Sequence, residues 1–231
     1  MENKSFEKKI YLSITGEKNI NWQKKLEEIN KLKLTEVAVF LSRFDKKERD
    51  NFYPFLLKSS IKSIPFVHIR NDNNKEDLKF FIDNYGTKYF NIHEDGFEYL
   101  DQWQGYQNRI YLEPDYNDEI AKDVRVKKIG GFCIDLAHFK SAIARGTKEA
   151  SYVFSNKENI SFPCNHLGGY SEESKQDVHS ATHFKQFDYL ATLPKFVFGD
   201  TIAIELDNSI KEQIMYKEYM VKLLDNYFNN V

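Results

Sequence analysis

Strand-like and helix-like stretches alternate along the whole of this 231-residue chain, and nothing else in the sequence restricts its fold so tightly. Residues 9–15, 36–41, 63–69, 88–93, 109–113, 131–135, 161–166 and 201–205 each read as a short apolar strand. Apolar residues recur at helical spacing between them. Trp22, Leu26, Ile29 and Leu32 share one side of 21–32, and Leu78, Phe81, Ile82 and Tyr85 one side of 75–85. Further helices are expected over 46–58, 117–127, 139–151 and 209–228, with a short helical piece between the strands at 88–93 and 109–113. Strands each followed by a helix or helical loop call for parallel pairing through crossovers, as a closed barrel or as an open doubly wound sheet. No GxGxxG or GxxxxGK[ST] follows the first strand, which removes support from the nucleotide-binding open sheet. The expected class is therefore α/β, a single (β/α)8 barrel over residues 1–231, a length that suits one such barrel. No linker, low-complexity tract or repeat divides it.

Most of these strands end on an imidazole or a carboxylate. In order they are His68, His93, Glu113, Asp135 with His138 three residues on, His166, the pair Asp177-Val-His179, and Glu205. Side chains alternate along a strand, so the residue two before each strand-end group also points into the barrel. That places Phe66, Asn91, Tyr111, Cys133, Cys164 and Ala203 inside. Val67, Ile92, Leu112, Ile134 and Ile204 face the helices, with Asn165 as the exception. The two cysteines form no disulfide framework. They belong to this inner layer, a thiolate metal ligand being the alternative. The polar groups would then gather at the C-terminal strand ends, where barrel enzymes keep their catalytic residues. Imidazoles and carboxylates converging from many strands are what a polynuclear metal site requires.

The motifs also resemble a known family. Gly131-Phe-Cys-Ile-Asp135-Leu-Ala-His138 is similar to the sixth-strand motif of the endonuclease IV family (AP endonuclease family 2), within the xylose isomerase-like TIM barrels. His166-Leu-Gly-Gly-Tyr-Ser followed by Asp177-Val-His179 resembles its seventh-strand motif, and Ile204-Glu205 with Asn208 its eighth-strand end. The resemblance spans His68 to Glu205, with shorter intervals that imply trimmed loops. It implies up to three divalent ions, zinc first, with manganese or iron as alternatives. His68 and His93 would hold the first, with Glu113 bridging to the second. Asp135, His166 and Glu205 would complete the second, and His138, Asp177 and His179 would hold the third. Ser180-Ala-Thr-His183-Phe replaces the family's glycine-rich stretch, and Pro114-Asp115 follows the strand-five glutamate. The first strand's Ser-Ile-Thr-Gly also lacks the family's usual histidine. These departures bear on the loops that grip DNA more than on the metals. The ultraviolet-damage endonuclease group shares a similar His- and Glu-rich mouth.

Two activities follow as expectations. One is metal-dependent phosphodiester hydrolysis of endonuclease IV type, with Glu113 and Glu205 catalytic. Its substrate would be a small phosphodiester or a damaged or single-stranded nucleic acid. The other is a sugar or sugar-phosphate isomerase or epimerase with one ion on Glu113, Asp135, His166 and Glu205. In that reading His68, His93, His138, Asp177 and His179 would serve substrate or structure instead. A metal-binding barrel without activity is a third reading. The net charge of −2 supplies no global positive field for nucleic acid. Arg43 and Arg70 follow strands two and three and are candidates to clamp an anionic group, solvated surface arginines being the plainer reading. Lys24, Lys25, Glu27 and Glu28 read as one solvated helix face. His183 fits no ligand slot, and Trp22 and Trp103 read as helix packing. Phe44, Phe97, Tyr116 and Tyr170 could stack on a base or sugar or simply pack their loops. No apolar run approaches the roughly 20 residues of a membrane span and the first residues are polar, so a cytoplasmic protein with no membrane partner is expected.

Overall fold

The computed structural model describes residues 5–15, 22–120 and 126–229. Its main sheet is wholly parallel. Its strands are β1 (Ile10–Tyr11), β2 (Ser13–Ile14), β3 (Ala38–Phe40), β4 (Phe66–His68), β5 (Tyr89–His93), β6 (Ile110–Glu113), β7 (Gly131–Asp135), β8 (Cys164–Leu167) and β11 (Thr201–Ile204). A separate antiparallel hairpin joins β9 (Gly169–Ser171) to β10 (Gln176–Val178). The sheet runs β1-β11-β8-β7-β6-β5-β4-β3-β2, and its two ends are halves of one strand interrupted at Leu12. β1 pairs with β11 while β2 pairs with β3, so the first strand closes the ring. The fold is an α/β barrel with eight strand positions, as the alternation predicts.

Local chemistry starts and stops the crossover helices. Asp45 caps α2 (Lys46–Leu57) and Asn74 caps α3 (Lys75–Tyr85), each in a capping box with the acidic residue three positions on. Gly86 ends α3 in the left-handed conformation that only glycine adopts freely. α1 (Trp22–Leu32) buries Trp22, Leu26 and Ile29, and α6 (Ile210–Asn229) closes the chain. Trp22 packs edge-on against Phe52 and Phe55, whereas Trp103 is fully buried and donates its indole N–H to the Asn73 carbonyl at 2.8 Å.

Three expectations are corrected. The helix expected at 139–151 is two, α4 (Leu136–Arg145) and α5 (Lys148–Asn156), parted where Gly146 turns left-handed. It begins early because the Asp135 carboxylate accepts the His138 N–H at 2.8 Å and caps it. Residues 117–120 of the expected 117–127 helix are not helical. Residues 121–125 lie outside the described residues, and a short 3-10 turn covers Val126–Lys128. The short helical piece expected between β5 and β6 is present, as a 3-10 helix at Glu94–Trp103. Finally, Lys25 is not on a solvated face. It is buried, and its Nζ donates to Thr15 Oγ1 at 2.6 Å and to the Leu206 carbonyl at 2.7 Å. Those strand-end oxygens draw the ammonium in, and burial lowers its pKa to about 8.

The inward register holds. Ala38, Phe40, Phe66, Tyr111, Cys133, Cys164 and Ala203 form one buried cluster inside the ring. Val67, Ile92, Leu112, Ile134 and Ile204 belong to the layer between sheet and helices. Asn165 sits buried on that outer side because its amide is fully used. It donates to the carbonyls of Ile134 and Val197 at 3.1 and 2.8 Å and accepts the Gly199 N–H at 2.7 Å.

Gly131 admits no side chain. Its φ is 140°, and an added Cβ would overlap the Ser161 carbonyl oxygen, which is held by the Phe132 N–H at 2.9 Å. Gly131→Ala is therefore expected to destabilise the chain by about 1–3 kcal/mol. A urea midpoint equal to that of the wild type would show that the crossover before β8 gives way freely.

Candidate metal centre at the barrel mouth

Every strand-end group expected from the sequence lies at the C-terminal rim of the ring. His68, His93, Glu113 and Asp135 end β4 to β7, His166 lies within β8, and Glu205 follows β11 directly. Register aligns them, since His93 is level with Glu113 and Asp135 with His166. The Glu205 N–H bonds the Leu167 carbonyl at 2.7 Å, which brings its carboxyl to the same level as His166. His138 stands in the first turn of α4. Asp177 lies in the β10 arm of the hairpin and His179 directly follows it.

His166 is the hub. Its Nε2 lies 2.9 Å from Glu113 Oε2, while its Nδ1 lies 2.7 Å from Glu205 Oε2 and 3.2 Å from Asp135 Oδ2. His166, Glu113 and Asp135 are each 1% exposed, so these charges face one another with almost no water. Yet neither ring nitrogen of His166 makes an aligned hydrogen bond. Close approach without alignment is what donors aimed at a shared point, rather than at each other, produce. His68 adds a second sign. Its Nδ1 lies 3.1 Å from the Ile69 carbonyl and so carries the proton, leaving Nε2 to face Glu113 Oε2 at 3.1 Å. In a neutral ring those are two acceptors, and a cation reconciles them.

A second group lies further out. His138 Nε2 is 3.2 Å from Asp177 Oδ1, and His179 Nε2 is 3.0 Å from Asp177 Oδ2. Ligand atoms of four sets fall within 4.8 Å of one another: His68–Glu113–His166, Asp135–His166–Glu205, Glu113–Asp135–His138 and His138–Asp177–His179. His93 stands at the edge, 3.7 Å from Glu113 and 3.4 Å from Asp115. The donors are imidazole nitrogens and carboxylate oxygens, a set that fits zinc, manganese or iron(II).

The electrostatics follow from this crowding. Burial would raise the Glu113 carboxyl, but the charges of the His166 and His93 imidazoles beside it hold it well below its usual range. Burial opposes the charge on His166 too, and Glu113, Glu205 and Asp135 outweigh it, keeping the ring protonated. Glu205, partly exposed, is drawn down to about 2, chiefly by His166 against the burial that would raise it. The Glu113 carboxylate raises His93 to about 9.

The sequence reading missed two neighbours. Asn91 Nδ2 donates to Glu113 Oε2 at 2.8 Å and orients that carboxylate. Its place two residues before His93, on the inward face, was the available signal. Asp115, two residues after Glu113, reaches His93 by the same alternation. Among the remaining candidates, Arg70 is already engaged, with Nε on Asp72 at 2.9 Å and Nη1 on the Ser42 carbonyl at 3.2 Å. Arg43 is exposed. Phe44, Phe97 and Tyr170 are buried in the packing between sheet and crossovers, and His183 is exposed ahead of the 3-10 helix Phe184–Thr192.

Among the described residues no helix is long and apolar enough to cross a membrane. No family model matches the sequence, and no curated protein does. The likeness to endonuclease IV therefore rests on its motifs alone. Among solved structures the chain is similar to a D-tagatose 3-epimerase-like protein, with 15% identity, 96% of this chain and 90% of that chain covered, and a TM-score of 0.42. At that distance the likeness says nothing about the chemistry of the mouth, which stands on the residues themselves.

Proposed function

We propose that the barrel mouth is a divalent-metal centre acting on a small hydroxyl-rich substrate, as a sugar or sugar-phosphate isomerase or epimerase. The observation that carries this reading is the tetrad of buried Glu113, Asp135 and His166 with partly exposed Glu205, in which one imidazole touches all three carboxylates. Carboxylates are not gathered out of water without cations to compensate them. A divalent ion held by the tetrad supplies Lewis-acid polarisation of a bound substrate oxygen. Glu113 and Glu205 approach opposite ring nitrogens of His166 and so flank whatever sits over the tetrad. One takes a proton from a substrate carbon, and the other returns a proton to the neighbouring carbon or the opposite face. Asn91 keeps the Glu113 oxygen aimed.

A small substrate is favoured over duplex DNA on charge. Duplex binding draws on several Lys and Arg contacts to phosphate, whereas this chain has a net charge of −2 and its ligand sets hold only imidazoles and carboxylates. A second reading has its own observation. The His138–Asp177–His179 set offers a further three-ligand site that a one-metal isomerase does not use. Three ions would suit hydrolysis of a small or single-stranded phosphodiester, with the clustered cations neutralising phosphoryl charge.

Metal counting separates the two. Purified chain loaded with zinc or manganese is expected to retain one ion by elemental analysis, to keep it in His179→Ala, and to interconvert aldose and ketose substrates. Three ions, two of which survive His179→Ala, together with cleavage of a generic phosphodiester, would establish the hydrolase instead. A chain that retains no ion defeats both.

A further inference from the structure

At the level of the mouth, side chains rather than a ladder join the first strand to the last. The β1–β11 pairing ends at Tyr11 and Ala203, while β2 pairs with β3. Beyond that point Gln213 of α6, fully buried, accepts the Ser13 N–H at 2.9 Å and donates to the Ser13 carbonyl at 3.2 Å. Lys25 of α1 lies in the same seam, 3% exposed. Its ammonium is 2.7 Å from the Leu206 carbonyl and 2.6 Å from Thr15 Oγ1.

A buried ammonium is costly, and burial lowers this one to about 8 even with Asp207, Glu28 and Glu212 near it. Satisfying the Leu206 oxygen does not require it. A carbonyl oxygen has two lone pairs, and two neutral donors, Thr15 Oγ1 and Gln213 Nε2, already lie 3.2 Å away. The cation adds a shorter, charge-assisted bond. The Leu206 C=O and the Asp207 N–H belong to one planar trans peptide, so they point in opposite directions and turn together. That N–H donates to the His179 carbonyl at 2.7 Å. A cation on the oxygen of a peptide polarises it and strengthens the bond donated from its nitrogen.

Two groups of the mouth adjoin this peptide. Glu205 precedes it directly, with its own N–H on the Leu167 carbonyl at 2.7 Å. His179 is tied to it by main chain, and its ring has Nε2 3.0 Å from Asp177 and Nδ1 3.4 Å from the Glu205 carbonyl.

We propose that Lys25 is a positioning residue of the mouth, fixing the main chain of Glu205 and His179 through the Leu206–Asp207 peptide. It links one member of the inner tetrad to one of the outer set, while its own hydrogen bonds go to Thr15 and Leu206. The proposal deepens the metal-centre reading above and rests on it for what the two held groups do. The hydrogen-bond chain itself is testable without metal or turnover.

Amide hydrogen exchange and histidine-ring NMR of the full chain, in the presence of a chelator, read that chain directly. In the wild type the Asp207 amide is expected to be as protected as the amides of β8. Exchange as fast as in exposed loops overturns the proposal before any variant is made. Lys25→Met keeps the length of the side chain and removes the ammonium. It should speed exchange at Asp207 by about tenfold more than in β6 and β7, and shift the His179 ring resonances while those of His93 stay in place. Thr15→Val removes a neutral donor and should leave the Asp207 amide within about twofold of the change across the sheet. A uniform rise in exchange in Lys25→Met, unmoved His179 resonances, or equal loosening of Asp207 in Thr15→Val marks Lys25 as a plain structural tie and overturns the proposal. In the manganese-loaded chain Lys25→Met should lower kcat for aldose–ketose interconversion by about tenfold with the ion count unchanged, and an unchanged kcat removes its role in the mouth. A wild type without that activity sinks the isomerase reading and leaves the exchange and ring-shift results to decide this one.

Discussion

His166→Ala is expected to lower the stability of the metal-free chain by about 3–5 kcal/mol, the range for removing one partner of a buried charge cluster. His166 is the only imidazole that touches Glu113, Asp135 and Glu205 together, at 2.9, 3.2 and 2.7 Å. Without it three carboxylates crowd a space nearly closed to water, with His93 left beside Glu113 and His138 beside Asp135, both at longer range. At about 2–4 °C per kcal/mol for a domain of this size, the thermal midpoint should fall by roughly 6–20 °C. The remaining carboxyls can escape by taking up a proton, so the loss should be larger at pH 8 than at pH 5. Urea unfolding at both values measures it. A loss below about 1 kcal/mol at pH 8 would mean that the tetrad is not charged as drawn here, and the case for a cation in the mouth would go with it.

The parts of this arrangement that were legible in the sequence share a physical cause. A strand has period two, so a polar group at a strand end, an aliphatic residue before it and a small or aromatic residue before that can only be read one way round. The inner cluster from Phe66 to Ala203 and the rim from His68 to Glu205 both follow from that alternation. What escaped was set by contacts between distant parts of the chain. Lys25 has the pattern of a surface lysine, and only the strand-end oxygens at Thr15 and Leu206 make burial tolerable. Asn165 breaks the outward aliphatic pattern because it serves backbone groups from two other segments. The crossover after β7 starts three residues early because a candidate ligand, Asp135, is also its N-cap. That dual use fixes the Asp135 carboxyl and places His138 beside it, 3.6 Å away. The β9–β10 hairpin carries Asp177, with His179 directly after it, on a segment with no strong alternation of its own. Tyr116 was legible only as an aromatic near a strand end. Its left-handed backbone and unpartnered hydroxyl exist only in the folded chain.

Adding zinc or manganese at about a hundred times its dissociation constant should stabilise the folded chain by about 2.7 kcal/mol, or roughly 5–11 °C in midpoint. The increment should vanish in Glu113→Gln, which keeps the shape of the mouth and removes one ligand charge. Protons compete for the same nitrogens. In the metal-free chain the Asp177 hydrogen bond raises His179 to about 9. Burial alone would lower His138, but the Asp135 and Asp177 carboxylates carry it up to about 10. Both folded values lie above the ordinary 6.5, so these pairs contribute their full stabilisation below about pH 6.5 and lose it as pH rises through 9 to 10. Asp177 and Glu205 are depressed instead, and what they contribute is present above about pH 4 and lost as pH falls toward 2. The metal-free chain is therefore expected to be most stable between about pH 4.5 and 6.5. A metal ion must displace the imidazole protons, so its stabilising increment should grow steadily from pH 6 to pH 9 with proton release on binding. An increment independent of pH over that range, measured by thermal shift and calorimetry in two buffers of different ionisation heat, would show that the ion binds away from these histidines. Because His179 belongs to the outer set alone, the number of protons released also reports which set is filled first. An ion confined to the inner tetrad leaves the His179 ring protonated.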